Sequence, residues 1–183
     1  MNNDVAAVKF NFLSKYIPDN FIGAEIGVFK GHFSSLLLSK NPRKLFLVDP
    51  WYRLSAEWGW VRTENPSTFD AFINIMLDFK KEINEGVVIP VPDFSANFLK
   101  CAPLGCFDFV YIDSSHSYED TLQEISLSIP LLKPGGLILG DDWHDDPSHR
   151  HFGVAKAVNK YIDSGELKQV FKPQYMQWGL RVS

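Results

Sequence analysis

The sequence predicts an α/β fold built around a mostly parallel β-sheet. Five short apolar runs recur along the chain, and a segment long enough to form a helix separates each run from the next. Strands that helices cover on both faces read as continuous runs of Val, Ile, Leu and Phe, so this alternation is typical of a buried parallel sheet. The predicted strands are FIGAEIG (21–27), RKLFLVD (43–49), GVVIPVPD (86–93), FDFVYID (107–113) and GGLILGDD (135–142).

The segments between these runs carry apolar residues at helical spacing. Residues 4–16 precede Pro18 and predict an N-terminal helix within residues 1–20. Its spaced apolar positions are Val5, Val8, Phe12 and Leu13. The clearest helix lies in SYEDTLQEISLSIPLL (117–132), where Pro130 is expected to end it early. Further helices are predicted within 31–41, 67–84, 94–100 and 154–163.

The tail of the chain completes the predicted sheet. Residues 167–183 contain two more strand-like pieces, which Lys172 and Pro173 separate and which predict an antiparallel pair at the end of the sheet. We therefore expect seven strands, mostly parallel with an antiparallel C-terminal strand. A chain of 183 residues is long enough for one well-buried domain, so the prediction is a single domain over residues 1–183.

The composition favours a small-molecule partner. The formal net charge is −4 and basic runs are lacking, which disfavours nucleic acid. Neither a long apolar stretch nor a basic leader followed by one occurs, so we expect no membrane span and a cytoplasmic protein. Cys101 and Cys106 have no second pair to complete a zinc site and are expected to be reduced thiols. Aromatic residues at 14% leave room for a homodimer surface.

Residues 51–67 (WYRLSAEWGWVRTENPS) form an aromatic insertion that does not fit the compact strand and helix scheme. Trp51, Tyr52, Trp58 and Trp60 all fall in this segment. Long loops often carry function, and aromatic side chains there can cover a ligand like a lid. The alternative is that these rings pack against the helix that begins near Ser67, since large aromatics are core residues first.

Each predicted strand carries an acidic residue at or just before its exit. The carboxyl ends of parallel strands lie along one edge of a sheet, where open α/β sheets bind ligands. One Asp after a strand is commonly a helix cap, but capping does not account for five successive strands. The acids are Glu25, Asp49, Asp93, Asp113 and the pair Asp141 and Asp142.

The first turn of the sheet predicts a ligand without phosphate. Gly27 and Gly31 are spaced GxxxG rather than the GxGxxG of dinucleotide-binding turns. Glu25 would repel a nearby pyrophosphate by several kcal/mol at an effective dielectric of about 20, but it would attract an amine. Asp49 follows about twenty residues later, where nucleoside-binding units accept hydrogen bonds from ribose hydroxyls. An adenosine that carries an amino acid satisfies all three observations, and this describes S-adenosylmethionine.

Three of the acids predict a cation site. Asp113 ends one strand, Asp141 and Asp142 end the next, and no basic residue lies beside them in sequence. Oxygen-only ligands suit Mg²⁺, with Mn²⁺ or Ca²⁺ as alternatives, and without a cation the three carboxylates would repel each other. The alternative is that one caps a helix and another faces solvent.

The histidines of HDDPSHRHF (144–152) are interpreted differently. His144, His149 and His151 lack the i, i+4 pairing that two zinc ligands show on a helix. A polar loop that contains proline favours a lid that contacts the substrate over a second metal site.

Four motifs resemble the class I S-adenosylmethionine-dependent methyltransferases over nearly the whole chain. They are EIGVFKG (25–31), LVDPW (47–51), FDFVYIDSSHSYED (107–120) and LLKPGGLILGDDW (131–143). The last two look most like the small-molecule O-methyltransferases of the metal-dependent, catechol and macrocin type. The resemblance implies a Rossmann-like, doubly wound sheet.

The resemblance also implies a role for each matched residue. It implies that the methionine part of the cofactor lies against Glu25, Gly27 and Gly31, the ribose against Asp49, and the adenine near Asp93 and Ser95. It implies that Asp113 contacts the cofactor and, with Asp141 and Asp142, binds a divalent cation. His116 matches the position of the catalytic base, which is lysine in the catechol enzymes.

The predicted function is therefore methyl transfer from S-adenosylmethionine to a hydroxyl of a small molecule, assisted by a divalent metal. The metal would hold the acceptor oxygen and lower its pKa, and His116 would take the proton. For His116 the alternative is an orienting or helix-capping role. For the protein, the alternatives are a metal-independent N- or O-methyltransferase and a catalytically silent S-adenosylmethionine-binding or interaction module. A nicotinamide dehydrogenase is disfavoured by the glycine spacing and Glu25.

Overall fold

A seven-stranded sheet organises the protein, and helices cover both of its faces. The computed structural model describes residues 3–51 and 68–182. The strands are β1 (Ile22–Ile26), β2 (Lys44–Val48), β3 (Val88–Val91), β4 (Phe107–Ile112), β5 (Leu132–Gly140), β6 (Lys168–Gln169) and β7 (Trp178–Arg181). The helices are α1 (Asn3–Leu13), α2 (His32–Leu37), α3 (Thr68–Asp78), α4 (Lys80–Asn84), α5 (Ser95–Cys101), α6 (Tyr118–Ser128) and α7 (Phe152–Asp163).

The strand order is β3-β2-β1-β4-β5-β7-β6. Strands β1 to β5 pair in parallel, β7 is antiparallel to β5, and β6 is antiparallel to β7. The chain builds outward from β1 through β2 to β3 and then returns to add β4 on the other side. The order therefore reverses between β1 and β4, which is where doubly wound sheets form a ligand crevice. The predicted Rossmann-like fold is confirmed.

Side chains along each central strand alternate between two apolar cores. In β4, Phe109 and Tyr111 join the core beneath α1, α2 and α3, while Val110 and Ile112 join the core beneath α5, α6 and α7. Successive residues of a strand point to opposite faces, so a strand buried on both sides must be apolar throughout. This is why the strands read as continuous apolar runs.

Helix α1 differs from its prediction in two respects. It ends at Leu13 rather than near residue 16. Its buried positions are Ala6, Lys9, Phe10 and Leu13, whereas the predicted core residues Val5 and Val8 are 42% and 48% exposed. Both stripes have helical spacing, and the buried one carries a lysine. The apolar pattern predicted that the stripe with Val5 and Val8 is buried, but in the structure the stripe with Lys9 is buried.

The remaining elements follow the sequence closely. Helix α6 ends at Ser128, and a 3₁₀ turn over Ile129–Leu131 contains Pro130, which ends the regular helix early as predicted. The KPGG segment belongs to β5, which begins at Leu132. Cys101 and Cys106 are free thiols. Of the helices in the described ranges, none has the length and apolar character needed to cross a membrane.

The position of Trp51 decides whether its ring covers a ligand or packs on the following helix. Its ring is fully buried, lies 5.2 Å from the Phe72 ring of α3, and donates a hydrogen bond from Nε1 to the carbonyl of Phe29 at 2.9 Å. Trp51 is therefore a core residue that packs on the following helix. The rest of the predicted aromatic lid, with Tyr52, Trp58 and Trp60, lies outside the described residues.

Gly27 allows β1 and β4 to approach each other at the switch point. Its φ is +86°, and a Cβ there would lie 2.0 Å from the backbone carbonyl oxygen of Asp113. We expect Gly27→Ala to lower the free energy of unfolding by at least about 3 kcal/mol, because backbone atoms cannot move aside. Gly86→Ala is the matched control, since Gly86 also has a positive φ of +69° but open space around it. Urea unfolding should show about 1 kcal/mol for the control, and equal losses in the two variants would contradict the close-approach requirement.

Candidate active site

A cavity of about 630 Å³ opens at the carboxyl ends of the parallel strands. It lies at the switch point between β1 and β4. The predicted site residues that line it are Glu25, Gly27, Asp49, Ser95, Asp113, His116, Asp141 and Asp142. Eight of the ten predicted residues thus meet at one edge, as expected for strand-end acids of a parallel sheet.

Backbone hydrogen bonds continue beyond the strands and hold the acids level with one another. Asp113 N donates to Ile26 O at 2.7 Å, and Asp141 N donates to Ile112 O at 3.0 Å. On the other side of β1, Asp49 N donates to Val91 O at 3.2 Å. The three carboxylates therefore start from adjacent positions at one edge.

Gly31 and Asp93 do not line this cavity. A Cβ on Gly31 would meet Ile75 of α3 at 2.4 Å, so this glycine allows α2 to begin against α3. Asp93 Oδ1 accepts from the backbone N–H of Phe94 at 2.7 Å and from the Asn97 amide at 3.0 Å, and it organises the start of α5. Both residues have local structural roles, and their expected contacts with a cofactor stay predictions.

Glu25 is almost fully buried beside the first turn and accepts a hydrogen bond from the Ser34 hydroxyl of α2 at 2.6 Å. Burial raises the pKa of Glu25 well above its ordinary value, the Ser34 hydrogen bond opposes this, and the charges of Asp113 and Asp49 add to the rise. Such a carboxyl gains from a positive ligand group nearby. The preference for a ligand that carries an amine, which the sequence predicted, stays a prediction at this site.

Asp49 follows β2 and accepts hydrogen bonds from the backbone of the first turn. Its Oδ2 accepts from the backbone N–H groups of Val28 and Phe29, both at 2.9 Å, and its Oδ1 accepts from Trp51 N at 2.7 Å. Burial raises the pKa of Asp49 although these three hydrogen bonds oppose the rise. Each carboxylate oxygen has two lone pairs, so Oδ1 retains the capacity to accept one more hydrogen bond.

His116 bridges two of the predicted metal ligands. Its Nε2 lies 3.0 Å from Asp113 Oδ1 and 3.1 Å from Asp142 Oδ2. Burial lowers the pKa of His116, but the hydrogen bond that the ring donates to Asp113 and the charges of Asp113, Asp142 and Asp141 outweigh it and raise the pKa overall. Ser117, rather than His116, caps α6, because its hydroxyl accepts from Asp120 N at 3.1 Å.

The backbone is strained at this point. His116 and Asp142 have φ values of +61° and +58°, in the left-handed region that residues other than glycine seldom adopt. Strain of this kind collects at functional sites, where surrounding contacts hold it in place. The two residues that meet across the cavity are therefore both held in unusual conformations.

Asp141 makes contacts that the sequence did not predict. Its Oδ2 pairs with the ammonium of Lys9 in α1, and its Oδ1 accepts from Gln177 Nε2 at 2.7 Å and from Asp142 N at 2.7 Å. Its backbone carbonyl accepts from Trp178 Nε1 at 2.9 Å. Burial and the charge of Asp113 raise the pKa of Asp141, and Lys9 opposes the rise.

These contacts bear on the predicted metal site, which stays a prediction. Asp113, Asp141 and Asp142 were expected to share one cation, with no basic residue beside them in sequence. The tertiary structure brings Lys9 to Asp141 from 132 positions away in the sequence, and both side chains are at least 95% buried. The signal that could have revealed Lys9 is its place in the stripe Ala6, Lys9, Phe10, Leu13, where a charge needs a buried partner.

Two other groups of side chains lie close enough to share a metal within the described ranges. They are His116, Asp142 and His151, and His144, His149 and His151, with ligand atoms within 4.8 Å of each other in each group. His151 Nδ1 lies 3.1 Å from Asp142 Oδ2. Sequence reasoning placed His151 in a loop predicted to contact the substrate, but gave it no role beside the strand-end acids. Its place beside Asp142 depends on how the loop before α7 folds back over the cavity.

The family comparison identifies the domain. Residues 24–143, which run from within β1 to just past β5, match the family model described as a methyltransferase domain. The chain belongs to this methyltransferase family. A curated relative, an uncharacterised protein of Acanthamoeba polyphaga mimivirus, is 24% identical over 156 residues. The match covers 83% of the methyltransferase chain and 64% of the relative, so the chain spans less than two thirds of that protein.

Solved structures of methyltransferases share the fold. The N-methyltransferase NodS from Bradyrhizobium japonicum superposes with a TM-score of 0.65 at 15% identity, covering 99% of this chain and 98% of NodS. The O-methyltransferase NovP gives 0.59 at 15% identity, with 98% and 78% covered. A protein from Streptococcus mutans, solved in complex with SAH, gives 0.63 at 13% identity, with 96% of each chain covered. At these identities the likeness is one of fold.

The methyltransferase also buries an acid that the sequence analysis did not single out. Glu124 of α6 accepts from the Ser114 hydroxyl at 2.7 Å and forms a hydrogen bond with Ser95, and all three residues line the cavity. Burial raises the pKa of Glu124 to about 7, although both serine hydrogen bonds oppose the rise. Ser95 is thus held against α6 at the cavity wall.

This raised pKa predicts a pH dependence of stability. The folded state favours protonated Glu124, so the free energy of unfolding falls as pH rises from 4.5 to about 7, by roughly 3 kcal/mol in total. Glu124→Gln should lack this component and be more stable than the wild type at pH 8. Urea unfolding between pH 5 and 8 measures it. Glu119→Gln, at an exposed position of the same helix, is the control. Parallel profiles for Glu124→Gln and the wild type would rule out the raised pKa.

Proposed function

We propose that the protein transfers the methyl group of S-adenosylmethionine to a hydroxyl oxygen of a small molecule, with His116 as the general base. One observation carries the proposal: the ring of His116 stands in the cavity of a methyltransferase domain, held by carboxylates on two adjacent strand ends. A histidine oriented by carboxylates is the arrangement that general bases use.

The cofactor would lie across the first turn. The amino group of its methionine part would face the carboxyl of Glu25, which gains from a nearby positive charge. A ribose hydroxyl would donate to Asp49 Oδ1, and the adenine would lie towards Ser95. Gly27 lines the cavity beside this pose. Gly31 and Asp93 are left out of it, since they contact α3 and α5 instead.

The proton would leave through His116. The carboxylates of Asp113 and Asp142 hold Nε2–H, so Nδ1 is the basic nitrogen of the neutral ring. As the acceptor oxygen forms its bond to the methyl carbon, the bond from that carbon to the sulfonium sulfur breaks and the acceptor proton moves to Nδ1. The cofactor leaves as S-adenosylhomocysteine. The two carboxylates stabilise the imidazolium that results, as in other base and carboxylate pairs.

A divalent cation does not fit the contacts at Asp141. The resemblance implies that Asp113, Asp141 and Asp142 would hold it, but Lys9 is paired with Oδ2 and two donors already occupy Oδ1. The group that does lie together, His116, Asp142 and His151, mixes imidazole nitrogen with oxygen, which Mg²⁺ disfavours. The proposed reaction therefore includes no step through a metal.

Cofactor binding is the first expectation of the proposal. Isothermal titration should show one equivalent of S-adenosylhomocysteine bound to the wild type. Asp49→Asn should lower the affinity at least tenfold, because it removes a ribose acceptor and loosens the turn that Asp49 ties down. The control is Asp93→Asn, at a neighbouring strand end outside the cavity lining, and it should bind as the wild type does. An absence of binding at about millimolar ligand would overturn the proposal.

The role of His116 predicts a loss of turnover without a loss of binding. Asparagine tolerates the positive φ at this position, so His116→Asn should fold. Its rate of methyl transfer from labelled S-adenosylmethionine to a panel of catechols, phenols and sugars should fall about 10²- to 10⁴-fold, while affinity for S-adenosylhomocysteine stays the same. Since the base must be neutral, wild-type turnover should rise with pH through the raised pKa of His116, and this rise should vanish in the variant.

The matched control is His149→Asn, because His149 belongs to the neighbouring group, with His144 and His151, but does not line the cavity. Its turnover should remain within a factor of two or so of the wild type. If His116→Asn and His149→Asn behave alike, His116 is not the base. Binding of the cofactor without turnover on any acceptor would favour the silent binding module over an enzyme.

A further inference from the structure

We propose that the ammonium group of Lys9 takes the place of a divalent cation at the strand-end acids, so that this methyltransferase works without a metal. Lys9 would balance the charge of the carboxylates and hold the acceptor oxygen as it loses its proton. The catalytic part of this inference rests on the proposed function. The ion-binding part rests on the geometry of Lys9 and Asp141 alone.

Lys9 and Asp141 form a deeply buried ion pair. The side chains of Lys9 and Asp141 are 5% and 1% exposed. Removing an ammonium and a carboxylate from water is unfavourable, and the attraction between them offsets this only when both are well hydrogen-bonded. A buried ion pair is therefore weak evidence for stability, and a role at the cavity that both residues line is the better explanation.

Three donors already occupy the Asp141 carboxylate. A carboxylate oxygen has two lone pairs, and Oδ1 of Asp141 uses both, for Gln177 Nε2 and Asp142 N. Oδ2 is in contact with Lys9 Nζ. A metal ion at this carboxylate could use only the second lone pair of Oδ2, beside the ammonium, and Lys9 would repel its two positive charges. Such an ion would therefore bind only if it displaced Lys9.

Gln177 and Trp178 support Asp141. Gln177 is fully buried, and its Oε1 accepts from the Tyr111 hydroxyl at 3.0 Å while its Nε2 donates to Asp141. Trp178 Nε1 holds the carbonyl of the same aspartate. The position of Asp141 is thus fixed by β4 and by the segment that leads into β7. A carboxylate fixed in this way holds its lysine partner at one place in the cavity.

The charge of Lys9 is balanced against several carboxylates at this edge of the sheet. Asp113, Asp141 and Asp142 contribute three negative charges at this edge, and Lys9 is a fixed positive charge among them. An ammonium has three N–H donors, and Asp141 takes one of them. Because Lys9 lines the cavity, a second donor would be available to an acceptor oxygen there, and it would stabilise the negative charge that develops as His116 takes the proton. The substrate class that suits this arrangement is a phenol or a similarly acidic hydroxyl compound.

Titration with Mn²⁺ tests the ion-binding part directly. By isothermal titration and electron paramagnetic resonance, the wild type should bind no stoichiometric Mn²⁺ up to about 1 mM. Lys9→Met removes the ammonium and leaves the three carboxylates without a cation, so it should gain a site for one equivalent. The double variant Lys9→Met with Asp141→Asn should lose that site again. Lys9→Arg keeps the charge and should bind no Mn²⁺.

Folding of each variant is checked by circular dichroism. The double variant removes both charges and is expected to fold even if Lys9→Met does not, and the wild-type titration decides the question in either case. One equivalent of Mn²⁺ bound to the wild type would overturn the proposal, whether Asp141→Asn or His151→Asn abolishes it. A folded Lys9→Met that binds no Mn²⁺ would overturn it as well.

Turnover provides the second readout. Methyl transfer to the phenol panel should be unchanged after the wild type is dialysed against a chelator, and it should fall at least tenfold in Lys9→Met while affinity for S-adenosylhomocysteine is retained. Loss of wild-type turnover on chelation, restored by Mg²⁺, would overturn the inference and leave the proposed methyl transfer intact. A lack of S-adenosylhomocysteine binding would instead overturn the proposed function and leave the Mn²⁺ result standing.

Discussion

Negative charge concentrated at one edge of the sheet is the constraint on which the whole site depends. A parallel sheet directs all its strand exits to the same edge, and here the exits carry Glu25, Asp49, Asp113, Asp141 and Asp142. Carboxylates so close together raise one another's pKa and destabilise the fold unless positive groups or N–H donors compensate them. The compensating partners differ from acid to acid, except that Asp113 and Asp142 share His116.

The partners come from elements on both sides of the sheet. Asp49 accepts hydrogen bonds from backbone N–H groups of the first turn and of Trp51, and Glu25 accepts one from a serine of α2. The imidazole of His116 lies between Asp113 and Asp142. Asp141 takes the lysine of α1 and the amide of Gln177. The hydrogen bonds and ion pairs that compensate the charge of the acids also fix the positions of their side chains. The same contacts therefore stabilise this edge of the sheet and set the geometry of the cavity.

Most of the fold was predictable because strands and helices leave local patterns in the sequence. All seven strands and the long helices fall where apolar runs and helical spacing place them, and the acids follow the strands directly. The site was predictable to the extent that parallel strands bring their exits together. The contacts of Gly31 and Asp93 could not be predicted in this way, because helix packing rather than the strand ends decides which residues of α3 and α5 lie beside them.

The sequence by itself determined the order of the elements, the doubly wound sheet and the presence of an acidic edge, because these follow from residues near one another in the chain. Only the tertiary structure decided which group compensates each acid. Lys9 is 132 positions from Asp141, and it reaches that residue only because packing buries the stripe of α1 that contains it instead of the more apolar stripe with Val5 and Val8. Helical spacing fits both stripes, and the buried ion pair depends on which one faces the sheet.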